Sequence, residues 1–225
     1  TKAILVNSPS NPTGAVLSLD ELKAIAQFAK ERDLIVISDE PYESIVYDGR
    51  KNYSIAALPD MFERTITVNS FSKTFAMTGW RVGYAVAEEA FINAMTVMQE
   101  SLTSSVNAAS QYAACVALTS PKDEVEEMRR VYEKRAELLE RGLNRIKGFS
   151  FIKPEGAFYA FVNIKDTGVT SEEVSQRLIE ECQVVTTPGS AFGAAGEGYI
   201  RISFASSSEI LEEAVNRIQS VFGTK

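Results

Sequence analysis

The sequence predicts an α/β fold, with a mostly parallel sheet in its first part and a smaller α+β region behind it. Three observations carry the prediction. Strand, helix and strand patterns follow one another over residues 3–38, the spacing of a βαβ unit with a parallel sheet. Leu34-Ile35-Val36-Ile37-Ser38 is a continuous apolar run, the mark of a strand covered on both faces. Beyond a long charged helix the pattern changes to short mixed elements, which places a domain boundary inside that helix, between residues 1–123 and 124–225.

Taken in order, Ala3 to Val6 is an apolar strand that breaks at Asn7-Ser8-Pro9-Ser10-Asn11-Pro12-Thr13-Gly14, a stretch rich in turn-forming residues. Ser18 and Glu21 have capping-box spacing, Ser18 as N-cap. Leu22, Ile25, Ala26 and Ala29 then recur at helical period, so a helix is expected as far as Arg32. Strands are expected over residues 34–38, 66–69 and 81–86, and helices over 88–102 and 108–118. Pro121 opens the long helix, residues 122–145, whose inner stripe is Met128, Val131, Leu138, Leu139 and Leu143, with Gly148 to close it. In the remainder, strands are expected over 149–152, 158–164, 184–186 and 199–204, and helices over 171–182 and 207–222.

Composition removes several function classes. The 225 residues carry 23 Lys and Arg against 30 Asp and Glu, a formal charge of −7 without a basic run. That balance argues against nucleic acid or an anionic membrane as the main partner. No apolar stretch approaches the ~18 residues a spanning helix requires, and no signal-peptide pattern is present. Cys115 and Cys182 are far apart and outside any CxxC spacing, which reads as two reduced thiols in a cytoplasmic protein. The chain contains no histidine. Ser-His-Asp and Cys-His sites are therefore excluded within it, as is a zinc site that needs imidazole, and no metal is expected. Proton transfer near neutral pH falls to Lys, Asp, Glu, Tyr or Cys.

The chemistry concentrates in Ser70-Phe71-Ser72-Lys73-Thr74-Phe75-Ala76-Met77-Thr78-Gly79-Trp80-Arg81-Val82. Lys73 is expected just past a strand, in a loop of small hydroxylated residues, and Arg81 follows at the start of another strand. An amine, hydroxyls, backbone N–H groups and a guanidinium gathered at strand ends suit a phosphorylated aldehyde. The amine forms a Schiff base and the donors hold the phosphate, which points to pyridoxal phosphate. Asp39 ends the second apolar run, at the rim where open α/β sheets bind ligands. Its carboxylate needs a cation or a donor there, and a protonated pyridine nitrogen is one such partner. Tyr42 and Asn11 are candidates for the ring oxygen, Ser70 and Ser72 for the phosphate, and Arg201 ends a strand in the tail. Taken singly, each has a plainer reading. Lys73 reads as a surface charge, Asp39 as a cap or ion pair, Tyr42 as packing, Asn11 as a turn residue and the serines as caps. Phe158, Tyr159 and Phe192 read first as core aromatics, with a substrate side chain as the second reading.

Together these positions resemble the class I/II aminotransferases, the fold-type I pyridoxal-phosphate enzymes of the aspartate-aminotransferase-like kind. The motifs are Asn11-Pro12-Thr13-Gly14, Ser38-Asp39-Glu40-Pro41-Tyr42, Ser70-Phe71-Ser72-Lys73 with Gly79-Trp80-Arg81-Val82-Gly83-Tyr84, and Tyr199-Ile200-Arg201-Ile202-Ser203. The resemblance implies pyridoxal 5'-phosphate as cofactor and transfer of an amino group between an amino acid and a 2-oxo acid. It implies that Lys73 carries the Schiff base and shuttles the proton, that Asp39 pairs with the pyridine nitrogen, and that Asn11 and Tyr42 hold the ring oxygen. Ser70, Ser72 and Arg81 would bind phosphate, Arg201 with Asn11 would bind the substrate, and Asn11–Pro12 would be a cis bond.

The resemblance further implies a partial PLP-transferase large domain, its four strands adjacent and residues 81–86 antiparallel, followed by a small C-terminal domain. The family reaches the first strand of this chain only after a long N-terminal stretch. The chain thus resembles the C-terminal portion of a longer enzyme, homodimeric when whole. Alone it is expected to be inactive, to bind cofactor weakly, and to self-associate through bare sheet edges. Two alternatives stay open: a lyase or decarboxylase of the same fold, and a non-catalytic effector-binding domain of a regulator.

Overall fold

The computed structural model describes residues 1–225. They divide into two compact units, residues 1–9 with 16–127, and residues 10–15 with 128–225. In the first unit, β1 (Ala3–Asn7), β2 (Ile35–Asp39), β3 (Thr65–Ser70) and β4 (Gly83–Val86) form one sheet in the order β1-β2-β3-β4. The first three strands run parallel and β4 is antiparallel to β3. Between β1 and β2 the chain returns through α1 (Leu19–Glu31), which starts at the expected capping box of Ser18 and Glu21. Its apolar stripe (Leu22, Ala26 and Ala29) packs with Val6, Leu34, Val36, Ile55 and Met61 into one core. That packing covers one face of β2. Val36 and Ser38 are buried while Ile35, Ile37 and Asp39 are only half-buried, so the expected burial on both faces is corrected to an alternation. The sheet edges are β1 and β4, where Leu5 is 67% and Val86 47% exposed.

Two local differences from the sequence reading matter for the site. Lys73 is not in a loop but on α2 (Phe71–Thr74), a one-turn helix that starts where β3 ends. Arg81 is not in the fourth strand. It follows a short 3-10 turn, Thr78–Trp80, and takes a left-handed conformation with φ +53°. The strand resumes only at Gly83, where any Cβ would sit 2.7 Å from the Asn69 carbonyl oxygen. Two further helices, α3 (Glu89–Thr103) and α4 (Ala108–Thr119), complete the unit. α4 contributes Ala114 to a small core with Phe71 and Val82.

The division between units falls within α5 (Asp123–Leu143), which buries Ala136, Leu139 and Leu143. The second unit has a sheet of β5 (Tyr159–Asn163), β6 (Thr187–Pro188) and β7 (Tyr199–Ser203), antiparallel in the order β5-β7-β6. α6 (Ser171–Cys182) and α7 (Ser208–Phe222) start at hydroxyl N-caps, Thr170 and Ser207. No strand forms over 149–152 beyond a single bridge of Ser150 to Asn163. The Asn144 side chain takes both the N–H and the carbonyl of Phe151, at 2.8 Å each, so that backbone is satisfied without a ladder. The strand expected over 184–186 starts later, because the Val184 N–H is drawn to the Leu178 carbonyl at the end of α6. Pro188, which has no N–H, then keeps it short. Residues 10–15 join this unit through the Gly14 carbonyl, which accepts from the N–H groups of Glu155 and Gly156. Gly14 has φ +70°, and a Cβ there would lie 2.3 Å from that of Pro154. The Ser8–Pro9 and Asn11–Pro12 bonds are both cis. No helix is long and apolar enough to cross a membrane.

Candidate active site

In the first unit, the parallel register aligns Asn7, Asp39 and Val68 at neighbouring strand ends. Asp39 is the last residue of β2 and half-buried. The Asn7 amide donates to its carboxylate at 3.0 Å and to its carbonyl at 3.1 Å. Burial pushes the Asp39 carboxyl above its ordinary pKa, and the Asn7 bond only partly opposes that. No cation contributes to the balance, so the carboxylate is placed to gain from one. Behind it, Glu40 is 6% exposed and accepts from the Ser38 and Ser54 hydroxyls at 2.7 Å each. Burial raises its pKa as well, with Glu43 and Asp39 adding like charge. Tyr42 is buried in the turn that follows β2.

The third strand end supplies the amine. Ser70 caps α2, its hydroxyl accepting from the Ser72 N–H at 3.1 Å, and this turn presents the half-buried Lys73. The β3–β4 register opposes Ser70 to Gly83, and the Phe71 N–H meets the Val82 carbonyl at 3.3 Å. Arg81 therefore lies on the segment running alongside Ser70 to Ser72. Its Nη1 donates to the Thr78 carbonyl at 2.9 Å, and the Thr78 hydroxyl in turn donates to the Ser72 carbonyl at 3.0 Å. A left-handed arginine costs about 1–3 kcal/mol, and here it accompanies the turn of the guanidinium back onto the Thr78 carbonyl. Asp39 and Ser70 thus end β2 and β3, Ser72 and Lys73 lie on α2, and Tyr42 and Arg81 lie in the turns that follow, all at the same ends of β2 and β3.

Asn11 and Arg201 belong to the second unit and meet there. Arg201 does not end a strand as expected but is the central residue of β7; it donates from Nη1 to Asn11 Oδ1 at 2.8 Å and from Nη2 to the Thr187 hydroxyl at 3.2 Å. Its guanidinium carbon lies 4.6 Å from the Tyr159 ring centre and 4.9 Å from that of Phe192. Nε is buried without an acceptor. A planar cation packed over two aromatic rings, with neutral acceptors on its fork, suits a carboxylate. Tyr159 and Phe192 serve the arginine here, which goes beyond core packing.

Sequence reasoning passed over Asn7, Glu40, Glu43, Thr74 and Thr187. Asn7 was readable as a strand-end residue, had β1 been extended by one position to match Asp39. Thr187 was readable only from the register of β6 on β7.

A parallel sheet whose strand ends carry a carboxylate, an amine and a guanidinium defines an α/β protein of the aspartate-aminotransferase-like fold. Residues 1–218 match the family aminotransferase class I and II, and the chain belongs to that family. It is 53% identical to aromatic-amino-acid aminotransferase 2 of Thermococcus litoralis and 52% identical to an aspartate aminotransferase of Pyrococcus abyssi. In both comparisons all of the chain is covered, and it spans 58% of the relative's length. The crystal structure of an aromatic aminotransferase from Pyrococcus horikoshii superposes with TM-score 0.95 at 51% identity, over 98% of this chain and 59% of that one. Aspartate aminotransferase from Thermus thermophilus with maleate gives 0.92 at 38% identity, over 98% and 57%.

Proposed function

We propose that the chain supplies the lysine-bearing part of a pyridoxal 5'-phosphate-dependent aminotransferase, which passes an amino group from an amino acid to a 2-oxo acid. The observation that carries this reading is Asp39, a half-buried carboxylate at a parallel strand end whose hydrogen-bond partner is one amide. The donor set fits the cofactor: an acid for a protonated ring nitrogen, an amine for an aldehyde, and hydroxyl and guanidinium donors for a phosphate. When bound, pyridoxal phosphate supplies an electron sink for the substrate's Cα. Asp39 would favour a positive charge on the ring nitrogen, and Asn11 and Tyr42 would be the donors for the ring oxygen. Ser70 and Arg81, with Ser72 beside them, bind the phosphate. Lys73 would supply the amine that holds the cofactor's aldehyde, and its free Nζ would serve as the general base toward the substrate's Cα proton. Arg201 grips the α-carboxylate as a two-pronged donor.

In this reading residues 1–123 belong to the large cofactor-binding domain and residues 124–225 to the small one, in a cytoplasmic homodimer. Relatives named for aromatic amino acids and for aspartate are equally similar to the chain. Overall likeness therefore does not set the substrate side chain. The test is a spectrum and an assay on the product of the whole reading frame. Adding pyridoxal phosphate should give a visible band that Lys73→Ala abolishes, and amine transfer should require a 2-oxo acid. A band without that requirement would replace transfer by the lyase or decarboxylase reading. Absence of the band would overturn the cofactor assignment.

A further inference from the structure

We propose that Glu43 and Thr74 are positioning residues that fix Lys73 relative to Asp39, by clamping the one-turn helix α2 onto the turn that follows β2. The inference rests on the reading of Lys73 as the cofactor-bearing lysine. A helix of one turn has little stability of its own, because nucleation costs more than a single turn returns. α2 must therefore be held from outside. Its first residue, Phe71, is packed against Phe75 and Tyr84, with ring centres 5.4 and 5.5 Å away. Its last residue, Thr74, is 2% exposed and donates its hydroxyl to Glu43 Oε1 at 3.1 Å. Thr74 adjoins Lys73, so this bond sets where the lysine stem leaves the backbone.

Glu43 is itself anchored to the Asp39 strand. Its N–H donates to the Glu40 carbonyl at 3.2 Å, and the Glu40 N–H donates to the Val68 carbonyl at 2.9 Å, one step beyond the β2–β3 ladder. The Glu40 carboxylate is in turn pinned by Ser38 and Ser54. Hydrogen bonds thus run from the end of β2 through Glu40 and Glu43 to the turn that bears Lys73. The arrangement carries a cost, because Glu43 Oε2 is buried without a donor. A carboxylate adds nothing to packing that an apolar side chain could not, and burying one with an empty oxygen is unfavourable. Its other oxygen accepts from the adjacent Ser44 hydroxyl at 3.3 Å and, at 3.1 Å, from Thr74, the bond that ties it to α2.

The test uses the product of the whole reading frame, loaded with pyridoxal phosphate. Its readouts are the dissociation constant, the circular dichroism of the lysine–cofactor band per bound cofactor, and the thermal unfolding of the unloaded protein. Thr74→Val keeps the shape and removes the donor; Glu43→Leu removes the acceptor. Both should weaken cofactor binding about tenfold, as loss of a charged hydrogen bond does, and should diminish the dichroic band. Thr74→Ser and Glu43→Gln retain donor and acceptor and should stay within about twofold of the wild type. Wild-type affinity and dichroism in Thr74→Val would overturn the proposal. So would losses in all four variants that follow unfolding temperature alone. If Glu43→Leu does not fold, Thr74→Val decides. A wild type without any band abolished by Lys73→Ala would instead sink the underlying cofactor reading, so the two failures are distinct.

Discussion

Asp39 closes β2 and Arg201 sits in the middle of β7, each a charged side chain carried by a sheet, yet their surroundings differ in kind. Arg201 is built in advance, its guanidinium over the Tyr159 and Phe192 rings and its fork on Asn11 and Thr187. Asp39 has one amide, and burial acts against its charge. The difference follows from the ions. A guanidinium is weakly hydrated and tolerates aromatic contact, so it can be fixed before any anion arrives. A carboxylate is strongly hydrated, and a partial desolvation appears directly as a raised pKa. The first unit therefore holds a charge that a ligand should stabilise, and the second holds a rigid receptor.

Substitutions can break this contrast, the largest effects falling in the first unit. Lys73→Arg keeps a positive charge at the position but removes the nucleophile and base. Single-turnover amine transfer should fall by about 10²–10⁴, measured by stopped-flow absorbance, and retained turnover would remove Lys73 from the chemistry. Asp39→Asn preserves shape but removes the charge that the proposal assigns to the ring nitrogen. Its transfer rate should fall about 10²-fold, about 2.7 kcal/mol, with the amino acid KM little changed. Arg201→Lys leaves one cation in place of a fork stacked between rings. Its KM for the amino acid should rise about tenfold with a smaller change in kcat, the pattern of lost ground-state binding. A fall in kcat alone would move Arg201 from binding to catalysis.

How much of this was readable in the sequence depended on how local each cause was. The cap of α1, the βαβ order and the candidates Lys73 and Asp39 follow from neighbours in the chain, because strand ends and caps are written within a few residues; Arg201, read as a strand end, lies mid-strand in β7. Asn7 beside Asp39 depends on the register of two strands separated by α1, and Thr187 beside Arg201 on the register of β6 and β7. Neither pairing leaves a periodic signal. Residues 149–152 carry a strand-like apolar pattern, but Asn144 occupies the backbone of Phe151. The turn that re-aims Arg81 was hidden because arginine is an unexpected left-handed residue.

The smallest effect, and the one that tests the contrast without any substrate, is the pH dependence of stability. Asp39 and Glu40 in the first unit have pKa values raised chiefly by burial. The stability such groups contribute is present below the ordinary carboxylate pKa, about 4, and is lost as pH rises through their raised values. In the second unit, Glu173 and Glu197 are held below the ordinary value, by hydrogen bonds from Thr170 and from Ser171 and Gly198 respectively. Their contribution is present above that value and is lost as pH falls through the lowered one. Glu40→Gln should therefore compare best with the wild type near neutrality and worst in acid. Glu197→Gln should do the reverse, with its deficit largest near neutrality and closing as pH drops. Thermal unfolding of both variants across pH 3 to 7 measures the two slopes. Slopes of the same sign would mean that the acids at the β2 end are stabilised by the fold as Glu197 is, and the contrast between the units would fail.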